Sequence, residues 1–178
     1  RLSLVGSEMC IRDRVLDQQE QSEKLIEEFG RQILVPGINE EGQLNISKKK
    51  ICIIGLGALG TVASQYLVRA GVGEIHLIDY DIIEKSNLHR QINYDKDDVG
   101  KSKSNTSKHK LKNINDSTII KEHSLNFESF IKKNPNNNFD LIFDCTDNHQ
   151  NKIFSSKYSK ANKISFVSIS INSSEGIY

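Results

Sequence analysis

Short runs of β-branched and other apolar residues alternate along the chain with longer segments whose apolar residues recur at helical spacing. Such runs are typical of parallel strands buried on both faces, and the helical spacing predicts amphipathic helices. The predicted strands are 51–54, 74–79, 118–121, 139–143 and 164–169. The predicted helices are 17–29, 61–70, 102–114, 127–133 and 151–161. This alternation predicts an α/β fold, a doubly wound, Rossmann-like, mostly parallel sheet with helices on both faces.

Three details of this pattern are specific enough to compare with a structure. The stretch from Gly42 to Lys50 is polar and is interpreted as a lead-in to the first strand. The run from Ile164 to Ile171 is interpreted as a buried strand. In the helix 61–70, the residues expected to face inward are Val62, Ala63, Tyr66, Leu67 and Ala70.

The two ends of the chain differ from the regular part. Residues 1–14 begin with Arg1, lack clear periodicity and resemble translated sequencing-adapter sequence, so we exclude them from fold reasoning. A secretion signal is the competing interpretation, but charged residues interrupt any apolar core in this segment. At the other end the chain stops at Tyr178, soon after the last predicted strand. We therefore expect one domain over 15–178 that is incomplete, truncated at the C-terminal side, and a poor enzyme as it stands.

Composition argues against several functional classes. The 178 residues suit one domain, and 24 Lys plus Arg against 23 Asp plus Glu give a net charge of +1. That balance gives no reason to expect a nucleic acid as partner, and no apolar run approaches the roughly 20 residues that span a bilayer. The three cysteines include no C-x-x-C pair, so a zinc site or a disulfide framework is unsupported and a reducing cytoplasm is expected.

A glycine-rich segment carries the first candidate chemistry. Gly55, Gly57 and Gly60 form G-x-G-x-x-G between a predicted strand and a predicted helix. The first glycine permits the tight turn, the second lets backbone approach phosphate, and the third permits close packing of helix on strand. Asp79 ends the next strand, about 20 residues further on, where a carboxylate can bond ribose hydroxyls. This fingerprint predicts a nucleotide site without separating NAD from ATP.

Charged residues beyond the fingerprint favour ATP. A triphosphate carries more negative charge than a dinucleotide and usually requires cationic side chains and Mg²⁺. Arg90 can grip phosphate oxygens, and Lys103 or Lys101 can supply a point charge. Asp147 follows the strand 139–143 and is placed to hold Mg²⁺. The competing interpretations are solvated surface cations and an aspartate that only caps the next helix.

The order of several short motifs resembles the ThiF/MoeB/HesA family, which includes the adenylation domains of ubiquitin-activating enzymes. The resemblance runs from about residue 29 to the end of the chain. The matching motifs are Arg31-Gln32-Ile33, the G-x-G-x-x-G loop, Asp79-x-Asp81, Ser86-Asn87-Leu88-x-Arg90-Gln91, Val99-Gly100-x-x-Lys103 and Asp144-x-Thr146-Asp147-Asn148.

The resemblance implies a role for individual residues. Gly55, Gly57 and Asp79 would surround adenosine, and Asp147 would bind Mg²⁺. The resemblance also places Asn87, Arg90 and Lys103 near the phosphates. Gly60 and Asn148 are further candidates for binding the nucleotide. Arg31 would enter the neighbouring subunit's active site. Cys145 is interpreted as a packed thiol and not as a nucleophile.

The resemblance also implies a reaction and its partners. We expect a homodimer that uses ATP and Mg²⁺ to adenylate the C-terminal glycine of a ubiquitin-like or sulfur-carrier protein ending in Gly-Gly. Zinc is expected only in a region beyond residue 178, and tRNA only if the protein is a dehydratase-type member. The pathway stays open among molybdopterin, thiamine, tRNA modification and peptide modification. Two other functions also stay open, an NAD-dependent oxidoreductase and an inactive partner subunit of an activating enzyme.

Overall fold

The computed structural model describes residues 23–172 and 175–177, with side chains described from 23 to 171. The described residues fall into two compact units, one ending at Asn45 and the other beginning at Ile46. The segment 1–14 and the first residues of the helix predicted over 17–29 lie outside the described residues. Within the described residues, no helix is long and apolar enough to cross a membrane.

The first unit contains a helix over residues 23–33 (α1) and most of a second helix, α2 (Asn39–Ile46). A turn that includes Pro36 and Gly37 separates them. Two predictions here are wrong: α1 continues past Gly30, and the polar lead-in from Gly42 is largely helical. The signal for α2 lies in its start, where the Asn39 Oδ1 accepts a hydrogen bond from the Gly42 N–H at 3.0 Å. An Asn at a helix start followed by acidic residues favours a helix even without an apolar stripe.

A parallel five-stranded sheet forms the centre of the second unit, with the strand order β3-β2-β1-β4-β5. All four strand pairings are parallel. The strands are β1 (Lys50–Ile54), β2 (Glu74–Ile78), β3 (Ile119–His123), β4 (Leu141–Asp144) and β5 (Ser165–Ser168). This order is that of a Rossmann-like sheet, and it reverses direction between β1 and β4.

Helices cover both faces of this sheet, which confirms the doubly wound fold. They are α3 (Ala58–Arg69), α4 (Lys103–Lys112), α5 (Phe127–Lys133) and α6 (His149–Asn162). One core cluster joins Ile51, Ile53 and Leu77 of the strands with Val68 of α3 and Leu111 of α4. The opposite cluster joins alternate strand residues with aromatic side chains of α5 and α6, including Phe127, Phe130, Phe154 and Tyr158.

The inward face of α3 was predicted only in part: Leu67 packs against the core, and Ala63 and Ala70 are half-buried. Val62 and Tyr66 are exposed, whereas Thr61, Ser64 and Val68 are buried. Nearby backbone carbonyls satisfy the buried hydroxyls. Thr61 Oγ1 donates to the Gly57 carbonyl at 2.8 Å, and Ser64 Oγ donates to the Thr61 carbonyl at 3.0 Å. Small polar residues can therefore occupy the core side, which hydrophobicity alone does not reveal.

The run 164–171 is not one buried strand. After β5 it breaks at Ile169 and continues as β6 (Ser170–Asn172), which pairs antiparallel with β7 (Glu175–Ile177). Among the described strands β5 pairs only with β4, and its residues alternate between exposed and half-buried. An apolar run of this length looks the same in a central strand and at a sheet edge, so the sequence could not separate them.

Candidate nucleotide-binding site

An open cleft of about 790 Å³ lies at the carboxyl ends of β1, β2 and β4. This is where the strand order reverses, and open α/β sheets bind ligands outside such a point. The volume is within the range of small-molecule sites. The cleft is lined by the glycine-rich turn, the ends of the strands, and parts of the segments 80–91, 125–127, 145–151 and 170–171, together with Lys103.

The glycine-rich turn brings the start of α3 to the cleft. Gly55 has a φ of +85°, a conformation that favours glycine, and an added Cβ would lie 3.2 Å from the Thr146 backbone nitrogen. Gly57 lines the cleft and precedes α3 without any side-chain cap. The first N–H groups of α3 are therefore available to an anion.

Gly60 has a different role from the other two glycines. It is buried in the first turn of α3 and does not line the cleft. A Cβ at this position would lie 1.8 Å from the Gly55 carbonyl oxygen. Gly60 therefore allows the helix to approach the turn closely, as the fingerprint predicts for the third glycine.

Asp79 joins β2 to the glycine-rich turn. Its Oδ2 accepts the Leu56 N–H at 2.7 Å, and its Oδ1 accepts the Asp81 N–H at 2.8 Å. Burial raises the pKa of Asp79, although these two backbone donors and the nearby Lys103 act in the opposite direction. Each carboxylate oxygen keeps a second acceptor position, so Asp79 can still bond a ribose hydroxyl at the cleft.

The cationic residues are brought to the cleft selectively. Lys103 is only 6% exposed, lines the cleft and donates from Nζ to Asp81 Oδ2 at 2.9 Å. Lys101, the alternative that the sequence left open, pairs with Asp98 at 3.2 Å and does not line the cleft. Arg90 is exposed at the cleft, where its Nη1 donates to the Ser86 carbonyl at 3.0 Å.

Asn87 is also buried, although it lines the cleft. Its Oδ1 accepts the Glu84 N–H at 3.1 Å, and the Glu84 side chain accepts the Asn87 backbone N–H in return. This reciprocal capping fixes the short 3₁₀ turn Lys85–Asn87 from which Arg90 follows.

Asp147 and Asn148 lie side by side, exposed at the cleft, but they do different things. Asn148 caps α6: its Oδ1 accepts the Gln150 and Asn151 N–H groups at 2.8 and 3.2 Å. Asp147 is therefore not needed for the cap. The described residues contain no group of three or more His, Cys, Asp or Glu side chains arranged around a metal. A single carboxylate fits Mg²⁺ that is held jointly with nucleotide phosphates.

A buried ionic cluster lies beside the turn that follows β4, and it was not predicted from the sequence. Asp144 is 0% exposed and accepts the Thr146 N–H at 3.0 Å and the Thr146 hydroxyl at 2.7 Å. Lys152 Nζ lies 3.7 Å from Asp144 and also donates to the Ile169 carbonyl at 3.1 Å. Lys152 therefore ties the turn after β4 to the segment after β5. Nothing in the sequence around Lys152 distinguishes it from the chain's many surface lysines.

Two further residues complete the comparison with the sequence. Burial, followed by the neighbouring Asp144, raises the pKa of Cys145 to about 12, so this thiol stays protonated at neutral pH. Arg31 is an exposed residue of α1 in the first unit.

Comparison with known proteins decides the family. The model of the ThiF family matches residues 29–177. The chain belongs to the ThiF family. The matched region of this ThiF chain includes the whole cleft and Arg31.

Curated relatives have names that describe adenylyl transfer. The chain is 37% identical over 123 residues to "Adenylyltransferase and sulfurtransferase MOCS3" of Drosophila sechellia, covering 69% of this chain and 27% of that protein. It is 39% identical over 120 residues to "Adenylyltransferase and sulfurtransferase uba4" of Aspergillus niger, covering 67% of this chain and 25% of that protein. The ThiF chain thus spans about a quarter of the length of these relatives.

Solved structures show the same fold with ATP bound. E. coli tRNA N6-threonylcarbamoyladenosine dehydratase, TcdA, in complex with ATP, has a TM-score of 0.74 and 26% identity, covering 80% of this chain and 58% of that chain. E. coli MccB with ATP has a TM-score of 0.66 and 31% identity, covering 72% of this chain and 39% of that chain.

Gly57 and Gly60 give a prediction that distinguishes a glycine needed for helix packing from a glycine needed for nucleotide binding. Gly60→Ala places a methyl group against the Gly55 carbonyl, where only backbone could move. We expect it to lower the free energy of unfolding by about 2 kcal/mol or more. Thermal and urea unfolding of the unliganded protein measure this loss.

Gly57→Ala is the matched control within the same turn. Gly57 has a φ of −79°, and an added Cβ would meet nothing closer than 3.9 Å. We expect a free energy of unfolding within about 0.5 kcal/mol of wild type. Nucleotide binding should weaken, because the second glycine of the fingerprint is the one that lets backbone approach phosphate. Equal stability losses in the two variants would contradict the different roles of these glycines.

Proposed function

We propose that this ThiF domain binds Mg-ATP and adenylates the C-terminal glycine carboxylate of a ubiquitin-like or sulfur-carrier protein that ends in Gly-Gly. One observation carries the proposal. A single cleft combines the glycine-rich turn and Asp79, which suit a nucleoside, with Arg90, Lys103 and Asp147, which suit a triphosphate and its Mg²⁺. The nucleotide fingerprint and the charged residues therefore line the same cleft.

The comparisons support this activity without assigning the substrate. The curated relatives are named as adenylyltransferases, and two of the similar structures hold ATP. Among the similar structures, TcdA is a tRNA dehydratase by name, and MccB was solved with MccA-N7isoASN. A carrier protein remains our proposal because the MOCS3 and uba4 relatives combine adenylyltransferase with sulfurtransferase in their names.

The charges favour ATP over the main alternative, an NAD-dependent oxidoreductase. The pyrophosphate of NAD carries two negative charges, which the N–H groups at the start of α3 can largely hold. Lys103, which is already paired with Asp81, would then be a nearly buried cation that a pyrophosphate does not require. The joint presence of Arg90 and Asp147 also argues against an inactive partner subunit.

The reaction requires positioning and charge neutralisation more than covalent participation by the protein. A carboxylate oxygen of the carrier bonds to the α-phosphorus, and the bond from that phosphorus to its bridging oxygen breaks. Pyrophosphate leaves opposite the attacking oxygen and keeps the electron pair of the broken bond. Arg90 and Lys103 would hold the phosphate oxygens and offset the charge that develops on pyrophosphate.

Lys103 must exchange partners during this process. In the unliganded cleft its ammonium is paired with Asp81 at 2.9 Å. A phosphate oxygen offers a competing anion, and Asp81 is half exposed, so water can solvate that carboxylate when Lys103 turns to the nucleotide. The ion pair thus keeps a nearly buried cation compensated until the substrate arrives.

Asp147 would bind Mg²⁺, which enters with ATP and contributes charge neutralisation at the phosphates. Asn148 is already engaged as the α6 cap and would hold the Asp147 backbone in place. We further propose that Arg31 of a second subunit completes the site, as the family resemblance implies.

The first test measures ATP–pyrophosphate exchange by the full-length natural protein. We expect exchange that requires both Mg²⁺ and a carrier with a free C-terminal Gly-Gly. Arg90→Ala should lower the rate about 100-fold or more, as loss of one transition-state donor does. A carrier lacking its last glycine is the matched control. Exchange at the same rate with and without the carrier would overturn the proposed reaction. So would a lack of exchange with every carrier tried.

The second test concerns Arg31 and uses mixed dimers of two inactive full-length variants, Arg31→Ala and Asp147→Ala. If Arg31 acts in the neighbour's site, each mixed dimer has one intact site and one doubly damaged site. Activity should then return to at most about half of wild type per mixed dimer.

The control mixes Arg31→Lys with Asp147→Ala in the same way. It shows whether a positive charge at residue 31 is sufficient without the guanidinium group. Mixed dimers that are shown to form, yet stay inactive, would remove Arg31 from the neighbouring site. That result would leave the proposed adenylation itself intact.

A further inference from the structure

Gln91 is a buried amide beside the cleft without a visible structural purpose. Its side chain is only 3% exposed, although the residue lines the cleft. Within the described part of the chain, its Oε1 is one of two buried side-chain oxygens without a hydrogen-bond partner. An unpaired buried polar group is destabilising, so such groups in native proteins call for an explanation.

The position of Gln91 is fixed by its backbone. The Gln91 N–H donates to the Asn87 carbonyl at 3.0 Å, and its carbonyl accepts the Tyr94 N–H at 3.1 Å. The Tyr94 hydroxyl in turn donates to the Leu56 carbonyl at 3.0 Å. These bonds connect the backbone of Gln91 to the glycine-rich turn and fix its position beside the cleft.

The Gln91 amide lies next to the second glycine. A Cβ built on Gly57 would lie 3.9 Å from Gln91 Nε2, closer than to any other side chain. Gly57 directly precedes α3, whose uncapped N–H groups face the cleft. Arg90, the next residue, is also at the cleft. The surroundings of Gln91 are thus the part of the cleft that attracts an anion.

A carboxamide can present either its N–H groups or its oxygen by rotating its terminal torsion. Beside an anion the N–H side is favoured. The structure therefore assigns to Gln91 a direct contact with the nucleotide: we propose that its side-chain N–H donates to a phosphate oxygen of bound ATP. This assignment rests on the proposed function and adds a neutral phosphate donor to Arg90 and Lys103.

The test compares Gln91→Met and Gln91→Glu in the natural full-length protein, with Mg-ATP as the probe. Methionine keeps the length of the side chain and removes the donor. We expect the Kd for ATP to rise about 10-fold or more, because a hydrogen bond to a charged group is lost. The melting temperature without ATP should stay equal or rise, since the unpaired oxygen also disappears.

Glutamate separates a phosphate contact from a sugar contact. Beside phosphate, Gln91→Glu places like charges together, so it should bind ATP more weakly than Gln91→Met. Beside a ribose hydroxyl, a carboxylate would accept a hydrogen bond, and Gln91→Glu would bind ATP more tightly than Gln91→Met. That second order would overturn the assignment.

Thr118→Val is the matched control. Thr118 Oγ1 is the other unpaired buried oxygen among the described residues. Thr118 directly precedes the amino end of β3, whereas the cleft lies at the carboxyl ends of the strands. We expect an unchanged Kd for ATP. If wild type binds ATP and Gln91→Met binds it equally well, or if Gln91→Met melts lower without ATP, the assignment fails and the proposed function stands. If wild type binds no ATP, both fail.

Discussion

The hydrogen bonds of the Asp79 carboxylate hold the site together. They join the end of β2 to the glycine-rich turn through Leu56 and to the start of the next segment through Asp81. With both donors in place, the turn, the start of α3 and the segment that leads to Arg90 share one anchor. Since Asp79 is only 8% exposed, these backbone donors also offset the cost of keeping a carboxylate out of water.

A second constraint is the close approach of α3 to the glycine-rich turn. It requires Gly60 in the first turn of the helix, and it brings the uncapped start of the helix to the cleft. Two cations line the same cleft. Lys103 is held in an ion pair with Asp81, whereas Arg90 is exposed and contacts the Ser86 carbonyl and the His89 ring. One nucleotide could thus meet a fixed helix start and two cations that can adjust.

The fold and much of the site follow from the sequence because their signals are local. The apolar run Ile51–Ile54 and the spacing of the glycines predict β1, the turn and α3 within a few residues. The burial of Thr61 and Ser64 was missed because local hydroxyl bonds make them compatible with a core. The α2 helix was missed because its signal is a cap and not an apolar stripe.

Other features depend on contacts far apart in the chain, which a single sequence does not display. Only the structure separates Lys103 from Lys101, because one pairs beside the cleft and the other turns to Asp98. The link from Lys152 to Asp144 and to the Ile169 carbonyl joins two strand ends, and Lys152 looks like any surface lysine in sequence. The edge position of β5 likewise depends on which strands pair.

Calorimetric titration with ATP and with NAD⁺ tests most directly whether the cleft is built for a triphosphate. In the presence of Mg²⁺, we predict saturable binding of ATP that weakens about 10-fold or more in Lys103→Met, and little or no binding of NAD⁺. Saturable NAD⁺ binding, with ATP binding that is absent or unchanged in Lys103→Met, would contradict a cleft built for a triphosphate.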